Sequence, residues 1–247
     1  MLLVMGHHHR IYPHRNPGFI VQGNVEPMGV FIRQVYRFLE HRYLRRCHAM
    51  LELQQIVEDF AKGIEQADAK SPQSKNWRRG IGPHDEIEVI RLVMTELAAI
   101  LPQRYTAHEM EVLYPGTRQA CDLCIGEAPD FSWAIEFKAL RMLGDKGHTG
   151  TGRDDVSKIL SPYPQQRSAL TDCLKLSSSG LGHRQALIIY AYDWEEFPAE
   201  SVIEIFEFAA NRCVRLGGRL TYPFSGLIHP VRQEGAVYGW ELITPIG

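Results

Sequence analysis

The chain has 247 residues, a formal net charge of −2 and 45% hydrophobic residues, which is ordinary for a globular protein with one sizeable core. The near-neutral charge argues against a protein that coats nucleic acid without specificity. No apolar run approaches the length of a membrane span, and five scattered cysteines fit reduced thiols, so we expect a cytoplasmic protein without a membrane partner. Cys121 and Cys124 have the spacing of zinc ligands, but no second pair follows, and we interpret them as buried thiols.

The first 82 residues precede the main predicted domain and divide into two parts. Residues 1–28 contain three prolines and no usable periodicity, which predicts a flexible arm. Residues 29–82 predict two amphipathic helices, over Val30–Cys47 and Met50–Ala67, and then a loop. The first helix is rich in arginine, which fits either phosphate contact or a solvated helix face.

The loop from Ala69 to Pro83 carries four basic residues around Trp77. Cations beside an aromatic ring suit a nucleic-acid strand, because they offer both charge and a surface for base stacking. The same composition also fits a solvated linker, and both interpretations stay open. In the first interpretation, the predicted substrate contacts are Lys75, Arg78 and Arg79.

Residues 83–247 predict a mixed α/β domain. Apolar residues at helical spacing indicate a first helix over His84–Leu101, with Glu86 on its inward face. An acid on that face needs a partner, and a metal site would supply one; the alternative is an acid favoured by the helix dipole. Three strands are predicted next, over His108–Tyr114, Ala120–Ile125 and Phe131–Leu140. A helix over Gln165–Leu176, a strand over Gln185–Tyr192 and a helix over Ser201–Leu216 follow them. A hairpin is then predicted from Leu220–Ile228 and Ala236–Leu242.

The third predicted strand alternates with period two. Its apolar residues from Trp133 to Ala139 fall on one face, whereas Glu136 and Lys138 fall on the other. Asp122 is the lone acid of the strand before it. A lone acid, followed in the next strand by Glu-x-Lys, is typical of metal-dependent phosphodiesterases. The alternative is an exposed charge pair on a solvated sheet face, worth under about 1 kcal/mol.

This element order, with these residues in these places, resembles the PD-(D/E)xK nuclease superfamily, which has the restriction endonuclease-like fold. The resemblance covers roughly residues 84–192. It implies a core of helix, strand, strand, strand, helix and strand around a mixed sheet, here with extra N-terminal helices and a C-terminal helix plus hairpin. Asp122 matches the family's acid in the second strand, Glu136 and Lys138 match its (D/E)xK motif, and Glu86 matches an additional acid in the first helix. Cys121 departs from the pattern, since many members have proline there.

The resemblance implies a DNA endonuclease that depends on Mg²⁺ or Mn²⁺ and acts in restriction, defence or repair. Asp122, Glu136 and the carbonyl of Phe137 would hold the metal, and Glu86 would bind it through water or support a second ion. Lys138 would orient the attacking water and face the phosphate.

Two further substrate contacts are predicted in the helix after the third strand. Gln166 is the nearest match to a family glutamine, and Arg167 borders the same face. Recombination-type exonucleases have a tyrosine four residues after this glutamine, and the absence of that tyrosine here argues against an exonuclease. We expect DNA as the partner, with RNA as an open alternative, and a homodimer also stays open. The rival hypothesis is a non-cleaving protein of the same fold that binds nucleic acid or docks into a complex.

Overall fold

The computed structural model describes residues 51–71, 79–144, 147–148, 152–196 and 198–243. The predicted arm over residues 1–28, the arginine-rich helix that follows it, and the predicted contacts Lys75 and Arg78 lie outside these described residues. Within the described residues, six strands form one mixed sheet with helices on both faces, which confirms the α/β class.

The predicted elements occur in the predicted order along the chain, and short helices over Pro102–Tyr105 and Gly152–Leu160 lie between them. The helices are α1 (Leu53–Lys70), α2 (Glu86–Ile100), the short α3 (Pro102–Tyr105), α4 (Gly152–Leu160), α5 (Ala169–Ser177) and α6 (Ala199–Ala210). The strands are β1 (His108–Leu113), β2 (Ala120–Ile125), β3 (Trp133–Arg141), β4 (Arg184–Tyr192), β5 (Leu220–Phe224) and β6 (Gly235–Glu241). They are arranged across the sheet as β1-β2-β3-β4-β6-β5, and β3 and β4 are the parallel pair.

Helices α1 and α2 cover one face of the sheet. Helix α1 is amphipathic, as predicted, and its apolar stripe is buried: Leu53, Ile56, Val57, Phe60 and Ile64. A methyl group at Gly63 would lie 2.7 Å from Val93 Cγ1, so the glycine lets α1 and α2 approach closely. Both helices share one hydrophobic core with the sheet, and α1 is therefore part of the same packed unit.

Helices α4, α5 and α6 cover the opposite face, where a second apolar cluster includes Leu187, Phe206 and Trp240. Strands β3 and β4 are buried along almost their whole length. When helices cover both faces of a parallel strand pair, the sequence of each strand is a nearly continuous apolar run, as in β4. Cys121 and Cys124 are fully buried, which confirms them as buried thiols.

The predicted helix over Gln165–Leu176 is wrong at its start. A 3₁₀ turn ends at Gln166, and Arg167 has a left-handed backbone with φ 48°. Helix α5 begins only after Ser168, whose hydroxyl accepts a hydrogen bond from the backbone N–H of Thr171 at 3.3 Å and caps the helix. Gln166 and Arg167 therefore lie on an exposed turn before α5 and not on its face.

A buried acid joins the end of α1 to two loops. Asp68 is 1% exposed, and its carboxylate accepts hydrogen bonds from the backbone N–H groups of Ile81 at 2.8 Å and Ile228 at 2.6 Å. The first loop leads into α2, and the second connects β5 to β6. Because α2 carries Glu86, Asp68 helps to fix the start of the helix that positions this acid.

We expect the substitution Asp68→Ala to lower the free energy of unfolding by about 3 kcal/mol, because it removes the charged acceptor of two backbone donors. Urea denaturation measures this change. Glu65→Ala is the matched control, since Glu65 accepts one hydrogen bond at 3.0 Å from the exposed Ser225 N–H, where water can replace it. The control is expected to cost less than about 1 kcal/mol. Equal losses in the two variants would contradict the structural role of Asp68.

Candidate active site

Strand β3 loses its partner on one side partway along its length. It pairs with β2 only from Trp133 to Ile135, but with β4 all the way from Trp133 to Arg141. We call the gap between β2 and residues 136–141 of β3 the strand fork. Backbone groups of β3 that face the strand fork have no neighbouring strand to bond, and buried backbone groups need partners.

Side chains supply those partners. The N–H of Phe137 donates to Asp122 Oδ2 at 2.8 Å, and the N–H of Ala139 donates to Glu86 Oε2 at 2.6 Å. The carbonyl of Phe137 accepts a hydrogen bond from Lys138 Nζ at 2.7 Å. Two acids that are far apart in sequence, on β2 and at the start of α2, therefore meet along one edge of β3.

Asp122 and Glu136 are the residues directly beyond the last β2–β3 pair, Leu123 with Ile135, and Glu136 is only 2% exposed. Its Oε1 accepts a hydrogen bond from the hydroxyl of Tyr114, the residue that follows β1. The same oxygen lies 2.8 Å from Nζ of Lys175 on α5. The carboxyl group of Glu136 on β3 therefore contacts one residue at the end of β1 and one on α5.

Lys138 is also buried, at 7% exposed, and is held by acids from two helices. Its Nζ lies 3.3 Å from Glu86 Oε1 and 2.7 Å from Asp172 Oδ2, and Asp172 itself is 2% exposed. The alternative of an exposed charge pair on a solvated face is therefore wrong, because Glu136 and Lys138 are both inside the protein. The alternative for Glu86, an acid that serves only the helix dipole, does not account for its two contacts with β3.

Burial dominates the electrostatics of the strand fork. Burial raises the pKa of Asp122 well above its ordinary value, and the charge of Glu136 acts in the same direction. Burial also raises the pKa of Glu136, reinforced by the charge of Asp172, and it raises the pKa of Glu86 against the opposing effect of Lys138. For Lys138, burial lowers the pKa, but the carboxylates of Glu86 and Asp172 outweigh it and the pKa ends above its ordinary range.

Four carboxyl groups and two amino groups meet at the strand fork, so its formal charge is −2 when all are ionised: Glu86, Asp122, Glu136, Asp172, Lys138 and Lys175. Carboxylate and carbonyl oxygens are the ligands that Mg²⁺ and Mn²⁺ prefer. In the described part of the chain, no three His, Cys, Asp or Glu side chains are grouped as a ready metal site. The amino group of Lys138 instead contacts Glu86 and Asp172 directly.

The predicted substrate contacts lie away from these acids. Arg79 is exposed on a bend before α2, and Gln166 and Arg167 are exposed on the turn before α5. No hydrogen bond or ion pair among the described residues joins these three side chains to the strand fork. Their role in substrate contact stays a prediction, as does that of Lys75 and Arg78.

Sequence reasoning missed three residues of the site: Tyr114, Asp172 and Lys175. Hydrophobicity alone places Leu174 on the inward face of α5, but that side chain is 45% exposed, whereas Asp172 is buried. The buried residues of α5 lie at positions 169, 172, 173 and 176. This is helical spacing, and it could have placed Asp172 on the inward face.

No family model, curated protein or solved structure matches the chain. Within the described residues, no helix is both long enough and apolar enough for a membrane crossing.

We expect Asp122→Asn to raise the melting temperature at pH 7. Because the pKa of Asp122 is raised on folding, ionisation of this group opposes folding once the pH exceeds 3.8, its ordinary value. The asparagine amide removes the charge, while its oxygen can still accept the Phe137 N–H. The gain in melting temperature should shrink as the pH falls towards 3.8, where the aspartic acid is itself neutral.

Thermal unfolding followed by circular dichroism between pH 4 and pH 8 measures this difference. Asp130→Asn serves as the control, because Asp130 is an exposed acid in the turn between β2 and β3. A melting temperature for Asp122→Asn equal to or below that of the unchanged protein at pH 7 would contradict the electrostatic description of the strand fork.

Proposed function

We propose that this protein is a Mg²⁺-dependent phosphodiesterase of the PD-(D/E)xK type, and that it hydrolyses DNA as an endonuclease in restriction, defence or repair. The observation that supports the proposal is the meeting of Asp122, Glu136, Lys138 and Glu86 at the strand fork. The order α2, β1, β2, β3, α5, β4 and the mixed pairing of these strands agree with a restriction endonuclease-like core.

The donor set at the strand fork fits a hard divalent cation. Asp122 and Glu136 offer carboxylate oxygens directly beyond the last β2–β3 pair, and the Phe137 carbonyl lies on the edge of β3 whose N–H bonds Asp122. These three residues would hold Mg²⁺ or Mn²⁺, with Glu86 as a ligand through water or as support. When bound, such an ion lowers the pKa of water and offsets charge on a phosphate.

The protein's own groups would do the remaining work. Lys138 carries a positive charge that is held in place by Glu86 and Asp172, and a fixed cation stabilises the negative charge that develops on a phosphate. Glu86 also accepts a hydrogen bond from the backbone N–H of Ala139, so it holds the start of α2 against β3. Low exposure of Glu136 and Lys138 excludes bulk water, which strengthens each of these interactions.

A substrate phosphate would approach from the side where the cluster reaches solvent. The side chain of Glu86 is 28% exposed and that of Lys175 is 24% exposed, whereas Glu136 is closed in. Exposed Arg79, Gln166 and Arg167 are then candidate contacts for DNA farther from the reacting phosphate. RNA as the substrate and a homodimer stay open alternatives. A cytoplasmic location stays a prediction from the sequence.

One observation favours a second candidate, a non-cleaving protein of the same fold that binds nucleic acid or docks into a complex. Glu136 is almost fully buried, and its Oε1 already contacts Tyr114 and Lys175. Buried carboxylates whose oxygens all have hydrogen-bond or ion-pair partners also occur in networks with a purely structural role. Such a protein would bind DNA with a strong dependence on salt and without a dependence on a divalent metal.

We expect the full chain to cleave supercoiled plasmid DNA in the presence of Mg²⁺ or Mn²⁺ and not in EDTA. Lys138→Met and Glu136→Gln should each lower the cleavage rate by a factor of about 100 or more, because each removes a charge that the reaction needs. Agarose gel electrophoresis of time points measures the rate.

Lys158→Met is the matched control for this experiment. Lys158 is itself exposed and pairs with the largely buried Asp155 at 2.8 Å on α4. No hydrogen bond or ion pair among the described residues joins Lys158 to the acids and lysines of the strand fork, so its variant should cleave normally. Equal cleavage by all variants would indicate a contaminating nuclease. Binding of DNA without cleavage by the unchanged protein, at any metal concentration, would favour the second candidate instead.

A further inference from the structure

Asp172 joins the two lysines of the strand fork. Its Oδ2 lies 2.7 Å from Lys138 Nζ, and its Oδ1 lies 2.9 Å from Lys175 Nζ. Each lysine also reaches a second acid, so that Lys138 contacts Glu86 and Lys175 contacts Glu136. The acids and lysines therefore form a continuous chain of contacts that begins on α2 and ends on β3.

Lys175 occupies a bridging position between two structural elements. Its Nζ lies 2.8 Å from Glu136 Oε1 on β3 and 2.9 Å from Asp172 Oδ1 on α5. It also lies 5.0 Å from the ring centre of Tyr114, a distance at which a cation and an aromatic ring attract each other. A single positive charge thus sits between two carboxylates, which is where a metal ion would also be stable.

The charge balance limits how many metal ions the strand fork can hold. With four carboxylates and two ammonium groups, the formal charge of −2 is neutralised by one divalent cation. A second divalent cation would leave a formal charge of +2 in a largely buried site that already holds two ammonium groups. Like charges repel strongly where water is scarce.

We propose that this protein binds a single divalent cation at Asp122 and Glu136, and that Lys175 takes the place of a second one. This inference rests on the proposed function, because it concerns the metal ion of that same site. Lys175 is a positioning residue here: it holds Glu136 and supplies positive charge on the side of the cluster that solvent reaches. It follows that the lysine sets the number of metal ions without itself being a ligand.

Isothermal titration calorimetry of the full chain with Mn²⁺, without DNA, tests the proposal. We expect one ion per chain at the strand fork. The double variant Asp122→Asn, Glu136→Gln provides the baseline, because ions bound elsewhere, for example by His7, His8 and His9, remain in it and are subtracted.

Removal of the Lys175 charge should change the stoichiometry or the affinity. In Lys175→Met, we expect either a second ion per chain or an affinity for the first ion at least tenfold higher, since the site then has a formal charge of −3. Lys175→Arg keeps the charge and should restore a single ion with the original affinity. Lys158→Met, which removes a lysine with the same i, i+3 spacing to an aspartate, should match the unchanged protein.

The possible results separate this inference from the proposed function. Two ions at the strand fork of the unchanged protein would overturn the role of Lys175 and leave the metal-dependent function intact. The same stoichiometry and affinity in Lys175→Met would also overturn it. No ion above the baseline would overturn both proposals together. If Lys175→Met does not fold, as judged by circular dichroism, Lys175→Gln replaces it, and the stoichiometry of the unchanged protein remains decisive.

Discussion

The open edge of β3 is the constraint on which the rest of the site depends. Where β2 turns away, the backbone N–H groups of Phe137 and Ala139 lose a strand partner inside the protein, and such groups are costly to leave unbonded. Carboxylates from β2 and α2 fill this role. Two acids therefore lie at the same edge of β3, because the N–H groups of this strand need hydrogen-bond acceptors.

The buried acids also need positively charged partners. An ionised carboxylate inside a protein is stable only when it is paired, and here two lysines from β3 and α5 are available. Both lysines share Asp172, which makes helix α5 as important to the site as the strands. The capped start of α5 at Ser168 therefore matters, because it sets the rotation of the helix and so the direction in which Asp172 points.

Sequence patterns predicted the part of the site that lies on regular elements. Alternation along β3 separated Glu136 and Lys138 from the apolar face, and helical phase placed Glu86 inward. Asp172 escapes prediction although its helical spacing with the buried residues of α5 places it inward, because one of its two lysine partners, Lys138, comes from another element and is not visible from the sequence of α5 alone. Hydrophobicity favoured Leu174 over Asp172 on α5, although the leucine is exposed. Arg79 is exposed and makes no hydrogen bond or ion pair with another described residue, so neither periodicity nor burial gives a signal for its role.

The distribution of the site along the chain has a consequence for how the protein matures. The acids and lysines come from α2, β2, β3 and α5, which span residues 86 to 177 and meet only when both faces of the sheet are covered. A nascent chain still on the ribosome, or a proteolytic fragment that lacks α5, contains the Glu-x-Lys strand but not its surroundings. The cluster is therefore complete only in the fully folded protein, and a truncated copy that ends before α5 cannot assemble it.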